Sequence, residues 1–268
     1  MKRGVLIISH GSRDTAWVTH VEHTIEAAKA RYYEQLRTSS PMTKEQVELQ
    51  FPIVSSYLEL VEGRLIQDGI NTLQNKGVTH IDVLPLFVSA GSTHLEEIKQ
   101  AFGFKPSYEF IGDLEPLQCS CSVNFDLPLI DDEELVQILT RQLTSLQIED
   151  KSHHAVLVLG HGSSDKTYYQ LWEDGMKQLL NKLQHNFKAI HFSYAALLPD
   201  HSKAELKKLI EEGKQVTVLP LFLSPGYFTR KVIPERLSEF NFTYTGETLL
   251  PSDEMVQLLI RRYETLFK

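Results

Sequence analysis

Three polar residues stand where an apolar run gives way to a turn: His10 after "GVLIIS", Glu59 after "FPIVSSYL", and His94 shortly after "IDVLPLF". If each run is a strand of one parallel sheet, all three reach the carboxyl ends of the strands, where such sheets bind ligands. Two imidazoles and one carboxylate with positions left open suit a divalent first-row metal. Fe(II) favours that set, and imidazole also takes Co, Ni and Zn. Taken singly, each residue reads equally well as a polar group satisfied by its own strand end.

Other candidates carry less. His20 and His23 fall at i,i+3, the spacing of a solvated helix face as much as of a metal pair. His153 and His154 sit in a polar linker. Cys119 and Cys121 lack further Cys or His at the spacing of a closed zinc site. The sequence has no Walker loop, no Gly-x-Gly-x-x-Gly and no Gly-x-Ser-x-Gly, so ATP use is not indicated.

The elements that must position these residues occur twice. "VLIISHGSRD" (Val5–Asp14) returns as "VLVLGHGSSD" (Val156–Asp165), and "IDVLPLFVSAG" (Ile81–Gly91) as "VTVLPLFLSPG" (Val216–Gly226). "SYLEL" (Ser56–Leu60) is echoed by "SYAAL" (Ser193–Leu197), and "DDEELVQILTRQL" (Asp131–Leu143) by "SDEMVQLLIRRY" (Ser252–Tyr263). Four matches in one order predict two tandem domains, 1–147 and 155–268, joined through the polar stretch Gln147–His154.

Each half alternates strand and helix. In the first, the patterning predicts strands over Gly4–Ser9, Glu48–Leu60 and Ile81–Val88, with a short one at Phe110–Ile111. It predicts helices over Asp14–Leu36, Leu65–Gln74, His94–Phe102 and Glu133–Leu146. Such alternation implies a parallel sheet with helices on both faces. The segment Asp113–Asp131, which holds both cysteines, shows no counterpart in the second half and no role of its own.

The repeat supplies an internal comparison. His161 repeats His10, but Ala196 stands opposite Glu59 and Thr229 opposite His94. Tyr227, Phe228, Arg230 and Lys231 could form an aromatic and cationic wall there, or simply an exposed basic helix start.

Composition narrows the class. The chain has 268 residues, 42% hydrophobic and 23% charged, which is ordinary for a globular protein. A net charge of −8 argues against a broad nucleic-acid footprint, which needs clustered Lys and Arg. No apolar stretch approaches membrane-spanning length, and the N-terminus lacks a cleavable leader pattern. With only two cysteines, one residue apart, a reducing cytoplasm is the expected location.

On "SHGSRD", "SYLEL" and "VLPLFVSAGSTHLEEI" (Val83–Ile98), the chain resembles the class II tetrapyrrole chelatases, the sirohydrochlorin ferrochelatase and cobaltochelatase family. The second half is similar to the family's degenerate partner domain through "GHGSSD" and "VLPLFLSPGYFTRKVIPE" (Val218–Glu235). The resemblance covers nearly the whole chain. It implies an α/β fold of two flavodoxin-like domains facing each other across a cleft, the second forming the opposite wall. It implies ATP-independent insertion of Fe(II) or Co(II) into sirohydrochlorin, for sirohaem or cobalamin, with Ni(II) as an in vitro substitute and no further cofactor. The metal and catalytic residues it implies are His10, Glu59 and His94.

For the macrocycle's carboxylates, the expected partners are Arg13, Arg230 and Lys231 with the backbone amides of Ser12 and of Ser89–Ser92, Gly91 included. Tyr227 is expected to contact the ring. A monomer is expected, since each half already has a partner in the other. Two rivals remain on the sequence: a metal carrier without chemistry, and a phosphohistidine-type phosphatase. Phosphatases with Arg-His-Gly place a cation before the histidine, where this chain has Ser9.

Overall fold

The computed structural model describes the whole chain, Met1–Lys268. Strand β1 (Arg3–Ser9) is buried from Gly4 onward, because a parallel strand is covered on both faces. It pairs in parallel with β2 (Ile53–Tyr57) on one side and β3 (His80–Pro85) on the other. With β4 (Ser122–Phe125) the order is β2-β1-β3-β4. The second half repeats it with β5 (His154–Gly162), β6 (His191–Leu198), β7 (Gln215–Pro220) and β8 (Thr243–Tyr244), in the order β6-β5-β7-β8. Both are doubly wound α/β sheets of the flavodoxin-like kind, as expected.

Helices α1 (Thr15–Ser39), α3 (Ile66–Asn75) and α4 (Thr93–Ala101) link the first set of strands, and α6 (Lys166–Asn186), α7 (Ser202–Glu211) and α8 (Ile233–Arg236) the second. Asp14 and Asp165 cap α1 and α6 in the same way, each accepting backbone N–H bonds from the first turn.

Three local expectations change. The stretch expected as one strand over Glu48–Leu60 begins with a helix, α2 (Lys44–Gln50). Thr43 and Gln46 form a reciprocal capping box that starts it, and Pro52, lacking an N–H, follows its end. Phe110–Ile111 forms no strand. The fourth strand lies further on, inside the segment Asp113–Asp131, which therefore does have a counterpart, β8.

That segment also explains the cysteines. Leu117, Cys119, Cys121, Val123 and Phe125 all pack on the first core, while the residues between them are exposed. Period two is the signature of extended chain, so the two thiols are inward positions of a sheet edge. Both are free, and burial, followed by the neighbouring Cys119, pushes the Cys121 thiol up to about 11. A thiol held protonated is a poor nucleophile.

The compact units do not follow the expected division at 1–147 and 155–268. One unit comprises 1–87, 93–129 and 255–268, and the other 88–92 and 130–254. The closing helices are thus exchanged: α5 (Glu133–Ser145) belongs to the second unit and most of α9 (Asp253–Leu266) to the first. In the first unit, Tyr32 of α1 meets Tyr263 at 5.7 Å and stacks on Phe267 at 6.1 Å between ring centres. Arg262 pins the same helix by pairing with Asp126 at 2.8 Å. The two helices carry near-identical apolar stripes, so sequence pattern alone does not say which sheet each one covers.

Candidate metal site

Gly11 turns the chain out of β1 with φ +97°, and a Cβ there would fall on the carbonyl oxygen of Glu59. This close approach brings the exit of β2 beside His10. Leu58 N–H donates to the Ser9 carbonyl at 2.8 Å and Glu59 N–H to the His10 carbonyl at 3.1 Å. The loop is closed where Tyr57 N–H donates to the Arg64 carbonyl at 2.9 Å. Arg64 pairs with Glu22 of α1 at 2.6 Å and lies over the Tyr57 ring. The Tyr57 hydroxyl donates to the same carboxylate, and burial followed by that bond pushes its phenol well above the usual range.

His94 is the second residue of α4, and one turn on, the Glu97 carboxylate accepts from its Nδ1 at 2.9 Å. The rings of His10 and His94 meet edge to face, 4.7 Å between centres, with their Nε2 atoms 3.3 Å apart. His10 Nδ1 lies 3.2 Å from the Gly11 carbonyl, which can only accept. Acceptors at both Nδ1 atoms assign the hydrogens there and leave two Nε2 lone pairs facing each other. In that tautomer a cation between the two lone pairs is favoured over their facing each other bare. Two nitrogens bound to one metal at 2.0–2.1 Å in tetrahedral geometry stand about 3.3–3.4 Å apart, which is the spacing found.

Glu59, expected as the third ligand, is not brought to that point. Its Oε1 lies 3.7 Å from Nδ1 of His10, the ring nitrogen turned away from the facing pair, and its side chain is 52% exposed. No three His, Cys, Asp or Glu side chains converge as a ligand group. The backbone ties at Gly11 and His10 fix Glu59 beside the outer edge of the ring. Glu97, which the sequence reading passed over, is the better-held carboxylate, with 14% of its side chain exposed. Its signal was the i,i+3 spacing from His94 on a predicted helix.

The expected substrate residues fall into two sets. Ser12 Oγ accepts from Asp14 N–H at 3.0 Å and so belongs to the start of α1, with Arg13 exposed beside it. Ser89, Gly91 and Ser92 belong to the second compact unit. Gly91 N–H donates to Ser89 Oγ at 3.0 Å, and a Cβ at Gly91 would collide with the Tyr168 carbonyl and Trp172 of α6. Gly91 is therefore a packing glycine, and its amide is bonded within its own loop. Tyr227, Arg230 and Lys231 are exposed around a π-helical turn, Phe228–Val232.

The second half keeps the frame and loses the donors. His161 Nδ1 lies 3.2 Å from the Gly162 carbonyl, as in the first half. Strand pairing sets Gly160 opposite Ala196, where Ser9 stands opposite Tyr57, so the residue in the place of Glu59 is Leu198 and not Ala196. A Cβ at Gly162 would fall on the Leu198 carbonyl, just as one at Gly11 falls on that of Glu59. The ring facing His161 is Phe228, at 5.1 Å and 82°, close to the 4.7 Å and 81° of the histidine pair. Thr229, the expected counterpart of His94, is buried with its hydroxyl bonded to Gly226.

A sequence model of the CbiX family matches residues 4–146 and again 155–266. The chain belongs to the CbiX family. Both CbiX matches fall on the halves of the internal repeat. The chain is 25% identical over 236 residues to the sirohydrochlorin ferrochelatase of Priestia megaterium, covering 86% of this chain and 77% of that one. Among solved structures, SirB from Bacillus subtilis with Fe3+ matches at TM-score 0.70 and 20% identity, over 99% of this chain and 96% of its own. The sirohydrochlorin chelatase SirB from Bacillus subtilis subspecies spizizenii, in complex with cobalt, matches at 0.69 and 19%, over 99% and 95%. CbiX, described as the terminal enzyme of sirohaem biosynthesis in denitrifying bacteria, matches at 0.56 and 18%, over 97% and 99%. At these identities the structures speak for a shared fold.

Proposed function

We propose that this protein inserts Fe(II) or Co(II) into sirohydrochlorin without ATP, using His10 and His94 as the metal's protein ligands. The facing Nε2 atoms, 3.3 Å apart, carry this reading, and the family and its sirohydrochlorin-acting relatives support it. Two protein ligands leave the ion most of its coordination positions for water and for incoming pyrrole nitrogens, where a saturated site would trap it.

Insertion exchanges the protein's bonds to the metal for bonds to the macrocycle and expels two pyrrole protons. As the ion leaves, each Nε2 recovers its lone pair, so the two imidazoles can accept those two protons. Glu97 beside Nδ1 of His94 and Glu59 beside Nδ1 of His10 would then each face an imidazolium. A carboxylate at the outer nitrogen favours the charged ring and makes the neutral ring a stronger ligand. Glu59 acts in this scheme through His10 and as an exposed outlet for the proton.

Arg13, Tyr227, Arg230 and Lys231, all exposed, are the proposed contacts to the polycarboxylate macrocycle. Affinity of nitrogen ligands rises from Fe and Co toward Ni and Cu, so metal supply decides which ion is used. No helix is long and apolar enough to cross a membrane. Two free cysteines fit a reducing cytoplasm, and the internal repeat, which gives each half a partner, fits a monomer.

The test adds the protein anaerobically to sirohydrochlorin with Co(II) or Fe(II) and follows the macrocycle's visible absorption. Insertion at a rate proportional to protein and well above the metal-only blank is expected. A spectrum that changes no faster than the blank would overturn the reading and leave a metal carrier.

A further inference from the structure

The chain after α4 does not leave the site but returns along it. From Phe104 to Cys121 it runs as an irregular strap, bent at Ser107–Glu109 and held at its near end by side chains of α4. Ser107 N–H donates to Glu96 Oε1 at 2.8 Å. The Gln100 side chain grips the strap twice, donating to the Phe110 carbonyl at 2.8 Å and accepting from Gly112 N–H at 3.0 Å. Further on, Leu117 N–H donates to the Ala101 carbonyl, and Gln67 and Gln74, two turns apart on α3, bond the backbone of Gln118 and Ser120.

At Gly112 the strap packs tightly on the residue that orients His94. A Cβ at Gly112 would lie 2.5 Å from Cγ, 2.9 Å from Cα and 3.0 Å from Cβ of Glu97. Real Cβ atoms do not come that close, so a larger residue forces the strap and Glu97 to shift relative to each other. The backbone at Gly112 is not in the left-handed region, which makes space, and not conformation, the reason for glycine here.

We propose that the strap Phe104–Cys121 is a positioning element for the metal site, acting through contact of Gly112 with Glu97 to hold the His94 ring in register with His10. Gly112 and Gln100 are positioning residues, since neither touches the ion. The proposal deepens the insertion reading but is tested on metal binding alone, so the two can fail separately.

The experiment titrates Co(II), without macrocycle, into wild type, Gly112→Ala, Glu97→Ala, the double variant and Gln100→Ala. Affinity is read from the cobalt visible bands and folding from circular dichroism. Loss of an outer carboxylate partner typically costs 10–100-fold in metal affinity, and Glu97→Ala is expected in that range. Gly112→Ala is expected to cost about tenfold, the lower end of the same range, and to add nothing in the Glu97→Ala background. Gln100→Ala loosens the strap without a clash and is expected to weaken binding in the same direction by less. Wild-type affinity in both folded Gly112→Ala and Gln100→Ala would overturn the proposal, as would fully additive losses in the double variant. Should wild type fail to insert metal while these effects hold, the insertion reading falls and the positioning role stands.

Discussion

His10 and His161 occupy the same backbone setting, each with Nδ1 3.2 Å from the carbonyl of the glycine that follows. What faces them differs. His94 and Glu59 in the first half become Phe228 and Leu198 in the second, so two polar groups give way to apolar ones in the same positions. A benzene ring offers an imidazole an edge contact but no lone pair, and the second site has one nitrogen where the first has two. The account predicts one tightly bound Co(II) per chain. Phe228→His combined with Leu198→Glu should add a second, weaker equivalent, measured by equilibrium dialysis with metal analysis. A double variant that still binds only one would show that the second frame differs in more than its donors.

The strands carrying these residues were legible because continuous apolar runs ending in His-Gly-Ser or Pro-Leu-Phe allow little else. Boundaries were lost where local chemistry competes with pattern. The Thr43 capping box made helix of a stretch that alternates like a strand, and β4 was hidden because Cys and Ser are weak markers of an edge. Similar letters, "SYLEL" and "SYAAL", point to Ala196 opposite Glu59, but backbone pairing shifts them by two. The pairing of β5 with β7 also has a thermodynamic mark. His154, at the start of β5, is buried with its Nε2 2.9 Å from Thr217 Oγ1, and burial lowers its pKa. Below its unfolded value of about 6.5 the unfolded chain binds the proton more readily, so this contribution is complete above that pH. It is lost as pH falls through the lower folded value. Urea midpoints at about pH 7.5 and 5.5 should therefore converge in His154→Gln relative to wild type. An unchanged difference would remove His154 from the acid sensitivity.

At the scale of the molecule, the sequence shows two halves and the structure two compact units that exchange their last helices. The metal pair sits in the unit closed by α9, whose Tyr263 is fully buried among Tyr32, Tyr33 and neighbours. Truncating a buried aromatic to alanine costs about 3–5 kcal/mol. Tyr263→Ala should accordingly release Co(II) in its first thermal transition, although Tyr263 is far along the chain from His10. Leu139→Ala, in α5 of the other unit, should leave Co(II) bound through its own first transition. Calorimetry with cobalt absorption distinguishes the two, and the reverse coupling would contradict the exchange.

The central claim is that one chain holds one working site, built on the first histidine of the repeat. Initial rates of Co(II) insertion into sirohydrochlorin, measured anaerobically for wild type, His10→Ala and His161→Ala, test it most directly. Loss of most activity in His10→Ala with most retained in His161→Ala is the predicted result. Equal losses in the two variants would contradict it.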